Sequence, residues 1–168
     1  MKNSEKTRYL VLVAVFAAVY VVLCAILQPI SFGPIQFRFS EMLCLAAIDY
    51  KWALWGVSIG CLLSNLFIGG LGMADVIFGT AATIIGCSLA YYFRARLFKG
   101  YPVLSALMIV VVNALIVGAE LAFVLDEVKL MPLFMLEVGF GELVVLAIGL
   151  PIYKHLKKLF EAKNVEVK

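Results

Sequence analysis

The sequence is short of charge. Lys, Arg, Asp and Glu together supply 15% of its 168 residues, against about 25% in a typical soluble domain. Apolar residues take their place, at 64% of the chain with a mean hydropathy of +1.05. Disorder is excluded, because a disordered chain lacks the apolar residues to collapse. A soluble globule is excluded as well, because a chain of this length cannot bury so large an apolar share. Histidine is nearly absent. His155 stands alone in Tyr153-Lys154-His155-Leu156-Lys157-Lys158, which argues against a metal centre or a Ser/His/Asp arrangement. Cys24, Cys44, Cys61 and Cys87 lie apart in apolar stretches with no CxxC spacing. They read as small buried side chains. No Gly-x-x-x-x-Gly-Lys-Ser/Thr loop is present, so the chain is expected to hold no cofactor and to leave ATP hydrolysis to partner subunits. The net charge of +3 comes mostly from the two ends, and is read as membrane orientation rather than nucleic-acid binding.

What is present is a series of long apolar runs, the mark of an all-α integral membrane protein. A helical span needs about 20 residues, so six would use about 120 and leave about 48 for tails and short loops. The runs fall at about 9–28, 39–50, 52–68, 73–93, 102–125 and 132–153, within one transmembrane domain covering residues 1–168. Pro29, Gly33 and Pro34 break the first run from the second, and Gly69-Gly70 the third from the fourth. The first run has no small-residue cleavage site after it and reads as a retained span. The second, at about 12 residues, is too short to cross alone. With six spans both termini share a side, and that side collects twelve of the 14 basic residues, leaving Arg38 and Lys129 opposite. The asymmetry predicts cytoplasmic termini and an external loop over 29–37.

Polar groups within such runs are costly and each needs a reason. Asn113 and Glu120 are seven residues apart and share a helix face. Glu137 and Glu142 are five apart, about 140° of rotation, and point in different directions. Glu120 and Glu137 are each five residues from the outer end of their helices, so both are placed about 7–8 Å below the outer surface, facing inward. Asp75, Gly79, Thr83 and Gly86 line one face of the fourth run, and Asn65 lies near the same end of the third. One reading is a polar pocket, open to the outside, for a small ligand rich in hydrogen-bond donors or positive charge. The other is that each group pins helices together. Ser40 and Glu41 suit a helix start, with Arg38 three residues before Glu41 and able to pair with it. Arg38 therefore reads as a loop anchor or as a ligand contact. Two small-residue stripes allow close helix approach: Gly56, Gly60 and Ser64, read as packing within the chain, and Ala14 with Ala18, which face either a neighbouring helix or a separate protein.

Three stretches resemble a known family: Gln36-Phe37-Arg38-Phe39-Ser40-Glu41, Gly60-Cys61-Leu62-Leu63-Ser64-Asn65-Leu66-Phe67, and Asp75-Val76-Ile77-Phe78-Gly79-Thr80-Ala81-Ala82-Thr83. They are similar to the QueT family, substrate-binding S components of energy-coupling factor (ECF) vitamin transporters, over about residues 14–153. The resemblance implies six helices, a membrane coupling subunit and two ATPase subunits as partners, and a queuosine precursor, a deazaguanine, as substrate. It implies that Ala14 and Ala18 contact the coupling subunit. A deazaguanine presents an N–H and an amino group side by side, which suits a carboxylate such as Glu120 or Glu137. Phe32, Phe37 and Phe67 either stack on the flat base or serve as lipid-facing or core residues. The alternatives are an S component for another ligand, such as cobalamin or a pyrimidine, and a small intramembrane enzyme using paired carboxylates.

Overall fold

The computed structural model describes residues 3–31, 36–69 and 71–162. Among them every regular element is helical: α1 (Asn3–Ile26), the short α2 (Gln28–Ser31), a 3-10 helix (Phe39–Ile48), α3 (Lys51–Phe67), α4 (Met73–Tyr92), α5 (Val103–Val124), a 3-10 turn (Val128–Leu130) and α6 (Met131–Ala162). The elements match the six apolar runs in order, the middle four to within two residues at each end, while α1 begins earlier and α6 ends later than read. Four are long and apolar enough to cross a membrane: Asn3–Ile26, Met73–Tyr92, Val103–Val124 and the continuous Val128–Ala162. α3 has 17 residues and the 3-10 helix has 10, which at about 1.5 and 2.0 Å per residue reach about 25 and 20 Å. The six runs read from the sequence are thus four long helices and two shorter ones. α6 also continues past residue 153 to Ala162, carrying Pro151 within it. The basic tail predicted after the sixth run is thus helical for most of its described length.

The chain packs in sequence order, α1 on α3, α3 on α4, α4 on α5 and α5 on α6. Small residues set how closely. A Cβ added at Gly56 would lie 2.6 Å from Cβ of Phe16, and one at Gly60 2.6 Å from Cβ of Tyr20. The Gly56, Gly60 and Ser64 stripe is thus the seam between α3 and α1, as within-chain packing predicts. At Gly118 a Cβ would meet the Met135 backbone at 2.5 Å, which fixes α5 against α6.

The 3-10 helix occupies the centre, touching α1, α3, α4 and α6. Ser40, Glu41, Cys44, Leu45, Ala46, Ala47 and Ile48 are all buried. The shortest of the six runs is thus the interior strut around which the longer helices close. At one end of the bundle, Tyr9 and Leu12 of α1 and Phe160 of α6 pack on Tyr50, Trp52 and Ala53. Lys157 bridges Asp49 at 2.8 Å, and the Tyr153 hydroxyl donates to the same carboxylate. Lys51 lies over the Tyr91 ring and Lys154 over Tyr101. The starts of α1 and α3 and the ends of α4 and α6 therefore share one basic end.

Candidate functional site

Away from that basic end, a set of charged groups lies inside the bundle. Arg38 precedes the 3-10 helix and is buried. Its guanidinium donates to Asp75 Oδ1 at 3.2 Å. Asp75 sits in the first turn of α4, where the helix dipole favours a negative charge, and is fully buried. Asn65 of α3 secures that turn by donating its side-chain N–H to the Asp75 carbonyl at 2.8 Å. Gly79, one turn on, has no room for a side chain. A Cβ there would lie 2.6 Å from Asn65 Nδ2 and 3.0 Å from Asp75 Oδ1. Thr83 follows, donating to the Gly79 carbonyl at 3.1 Å. The Asp75, Gly79, Thr83 stripe is thus one buried face whose spacing serves a single ion pair.

Glu41 is the second buried acid. Its carboxylate accepts from the Tyr20 hydroxyl and from Cys44 Sγ at 2.9 Å, and Ser40 beside it meets Cys24 Sγ at 3.1 Å. The Ser40 side chain therefore faces α1 instead of capping the helix, whose start carries no side-chain cap. Tyr20 was not visible as a polar contributor in the sequence. The available signal was an acid within a ten-residue run that is otherwise apolar.

Glu120 on α5 and Glu142 on α6 complete the set. Each is 4% exposed. Among the described residues, neither oxygen of Glu120 has a hydrogen-bond partner, nor does Glu142 Oε1, Asp75 Oδ2 or Asn65 Oδ1. Four carboxylates, Asp75, Glu41, Glu120 and Glu142, are thus buried within the bundle, and Asp75 is paired with the Arg38 guanidinium. Unmatched buried acceptors carry a desolvation cost of about 1–3 kcal/mol each, and a ligand that brings donors or positive charge removes it. Beside this cluster, α4 and α5 enclose a groove of about 700 Å³. Its wall is Ala74, Phe78, Ala81, Ile85, Leu115, Ile116, Ala119, Phe123 and Val124, with Glu120 as its one polar residue.

The two acids of α6 exchange places relative to the sequence reading. Val138, Gly141, Glu142, Val145, Leu146 and Gly149 form the buried stripe of that helix, so Glu142 points inward and Glu137, about 140° away, is half-buried. Asn113 is buried on α5 and donates back to its own helix at Ile109, 3.2 Å away. Phe37 is half-buried and meets Phe140 edge-on at 6.4 Å. Phe67 is exposed, and Phe32 lies outside the described residues. Ala14 and Ala18 are both exposed on α1, turned away from α3 and from the acids.

Comparison with known proteins identifies the family. A protein described as queuosine precursor transporter QueT, from Lactococcus lactis subsp. cremoris, is 41% identical over 103 residues, covering 60% of this chain and 59% of that relative. The alignment therefore spans about three fifths of the relative's length. No solved structure matches. The profile described as QueT transporter matches residues 10–158, nearly the whole chain. A transporter profile over several apolar helices of spanning length marks a multi-pass membrane protein, and the chain belongs to the QueT transporter family.

Proposed function

We propose that this chain is the substrate-binding membrane subunit of an ECF-type importer and that it takes up a queuosine precursor, a deazaguanine. The observation that carries the reading is the surplus of buried acceptors, on Asn65, Asp75, Glu120 and Glu142, that have no partner among the described residues. A deazaguanine has the complementary edge, an N–H and an amino group side by side, which donate together to one carboxylate. An aminomethyl arm adds an ammonium for a second acid. Asp75 with Asn65, and Glu120 with Glu142, supply acceptors from four different helices, so the ligand links them when it binds. Glu137, Phe37 and Phe32 are further ligand contacts in this reading. Asn113 lies on the same helix face as Glu120.

Energy comes from elsewhere in this reading. A membrane coupling subunit meets the exposed Ala14 and Ala18 on α1, and two ATPase subunits hydrolyse the ATP. Substrate enters from outside, with six membrane-embedded helices and both termini in the cytoplasm. The relative's name and the family support this assignment. Calorimetry on the purified chain, with deazaguanines, cobalamin and pyrimidines as titrants, tests it. Binding of a deazaguanine alone is the expected result. Binding of another vitamin in its place, or of none, would overturn the substrate assignment.

A further inference from the structure

The turn between α4 and α5, over residues 91–101, carries Arg94, Arg96 and Lys99 and no acid. It joins two helices of membrane-spanning length, Met73–Tyr92 and Val103–Val124, so it lies where the bundle meets one membrane surface. Its backbone is well defined. Phe98 and Tyr101 exchange both of their backbone hydrogen bonds, at 2.8 and 3.0 Å. Lys99 and Gly100 between them have φ of 49° and 78°, as a tight two-residue hairpin requires.

Aromatic rings, not carboxylates, hold the cations here. The Arg94 guanidinium lies 3.9 Å from the centre of the Tyr91 ring, and Lys154 of α6 reaches across to the Tyr101 ring at 4.4 Å. Arg96 stands over Phe93 and Lys99 over Phe98. Among the described residues none of these four cations forms an ion pair. A cation on a ring face keeps its charge, and keeps N–H groups for another partner. Gly100 leaves the space beside Lys154 open, since even a Cβ there would stand 3.9 Å from its Nζ.

Apolar side chains flank these charges. Tyr92, Leu97 and Phe98 are 75%, 60% and 65% exposed. A counterpart that suits the whole turn is apolar at one depth and anionic at the next. A phospholipid of net negative charge meets both conditions. The rings sit among the upper acyl chains, and the guanidinium and ammonium groups take the phosphate. A soluble anion would leave Leu97 and Phe98 bare, and a zwitterionic lipid would leave the positive charge uncompensated.

We propose that the α4–α5 turn, together with Lys154, is a binding site for an anionic phospholipid headgroup. The lipid joins this turn to α6 at the basic end of the bundle, apart from the buried acids.

Native mass spectrometry on the purified full chain tests the site, with phosphatidylglycerol and phosphatidylcholine of the same acyl chains as probes. Phosphatidylglycerol is expected to bind at least about fivefold better, because one basic group beside an anionic lipid is worth about fivefold in affinity. Arg96→Gln, Lys99→Gln and Lys154→Gln should each weaken phosphatidylglycerol about fivefold and leave phosphatidylcholine unchanged. All three side chains are exposed, so their loss spares the fold. Lys6→Gln combined with Arg8→Gln, on exposed residues of α1 at the same end, should change neither lipid. Equal binding of the two lipids by the unaltered chain would overturn the site. Unchanged phosphatidylglycerol binding in all three single variants would do the same. An equal loss from the Lys6 and Arg8 pair would also overturn it, by showing a response to net charge in place of a site at this turn.

Discussion

At the residue scale, the buried carboxylates divide by how they are satisfied. Asp75 is held by Arg38, and Glu41 by Tyr20 and Cys44. Among the described residues Glu120 has no hydrogen-bond partner and Glu142 has one oxygen without any. The two kinds should respond in opposite ways to amide substitution. Asp75→Asn removes the anion from a buried ion pair, a change that costs about 3–5 kcal/mol where the remaining charge stays buried. Thermal unfolding of the ligand-free protein should show that loss. Glu120→Gln and Glu142→Gln remove acids that gain little in the empty site, so the ligand-free melting temperature should hold or rise. Their cost appears on binding. A hydrogen bond to a charged group is worth about 1.5–3 kcal/mol, so affinity for the deazaguanine should fall about ten- to hundredfold. Glu137→Gln, at a half-buried position, should lose less. If both Glu120→Gln and Glu142→Gln bind normally, these acids serve only to hold helices. Gly79→Ala is a separate check on the Asp75 turn. The added methyl meets Asn65 and Asp75 within 3.0 Å, and overpacking of this kind costs about 1–3 kcal/mol.

At the scale of elements, α1 has two faces with different tasks. Val13, Ala17, Tyr20 and Cys24 are buried, and Phe16 and Tyr20 meet the glycines of α3. Ala14 and Ala18 stand exposed on the flank of that face, each about 100° round from the buried Val13 and Ala17. Ala14→Trp and Ala18→Trp should therefore leave ligand binding by the isolated chain unchanged while blocking uptake in cells that carry the ATPase module, because bulk there prevents close helix approach. Equal loss of binding would mean that this face supports the chain's own fold. The existence and order of the helices were legible in the sequence because apolar runs of spanning length have few other uses. The 3-10 conformation of Phe39–Ile48 was not, since it follows from the enclosure of that segment by four neighbouring helices. Nor was the inward face of α6 legible. Leu133, Leu136, Phe140 and Leu143 are exposed where lipid is the solvent, so apolar residues ring the helix and its periodicity hides which acid is inside. The Arg38–Asp75 pair joins residues 37 apart, a distance at which local pairing rules give no guide. The sequence reading paired Arg38 with Glu41, three positions on, because those rules reach only that far.

At the scale of the whole molecule, the bundle is electrically polarised along its length. Lys51, Lys154 and Lys157 are brought together at the end where α1 begins and α6 finishes. Arg94 lies over the Tyr91 ring at the same end. The acids and their guanidinium lie away from it, with Asp75 opening α4 at the opposite end from Tyr91. Basic residues concentrate on the cytoplasmic side of membrane proteins, so this end should face the cytoplasm and the acids the outer half of the membrane. The four native cysteines are all buried, which gives a low background for labelling with an impermeant thiol reagent. Pro29→Cys, on an exposed residue near the outer end of α1, should react in intact cells. Glu161→Cys, exposed near the end of α6, should react only after the membrane is opened. The reverse pattern would invert the molecule and put the candidate site on the inside. Labelling of both positions in intact cells would place the ends of the described chain on opposite faces. An odd number of crossings would follow, and one of the two short helices would not cross the membrane.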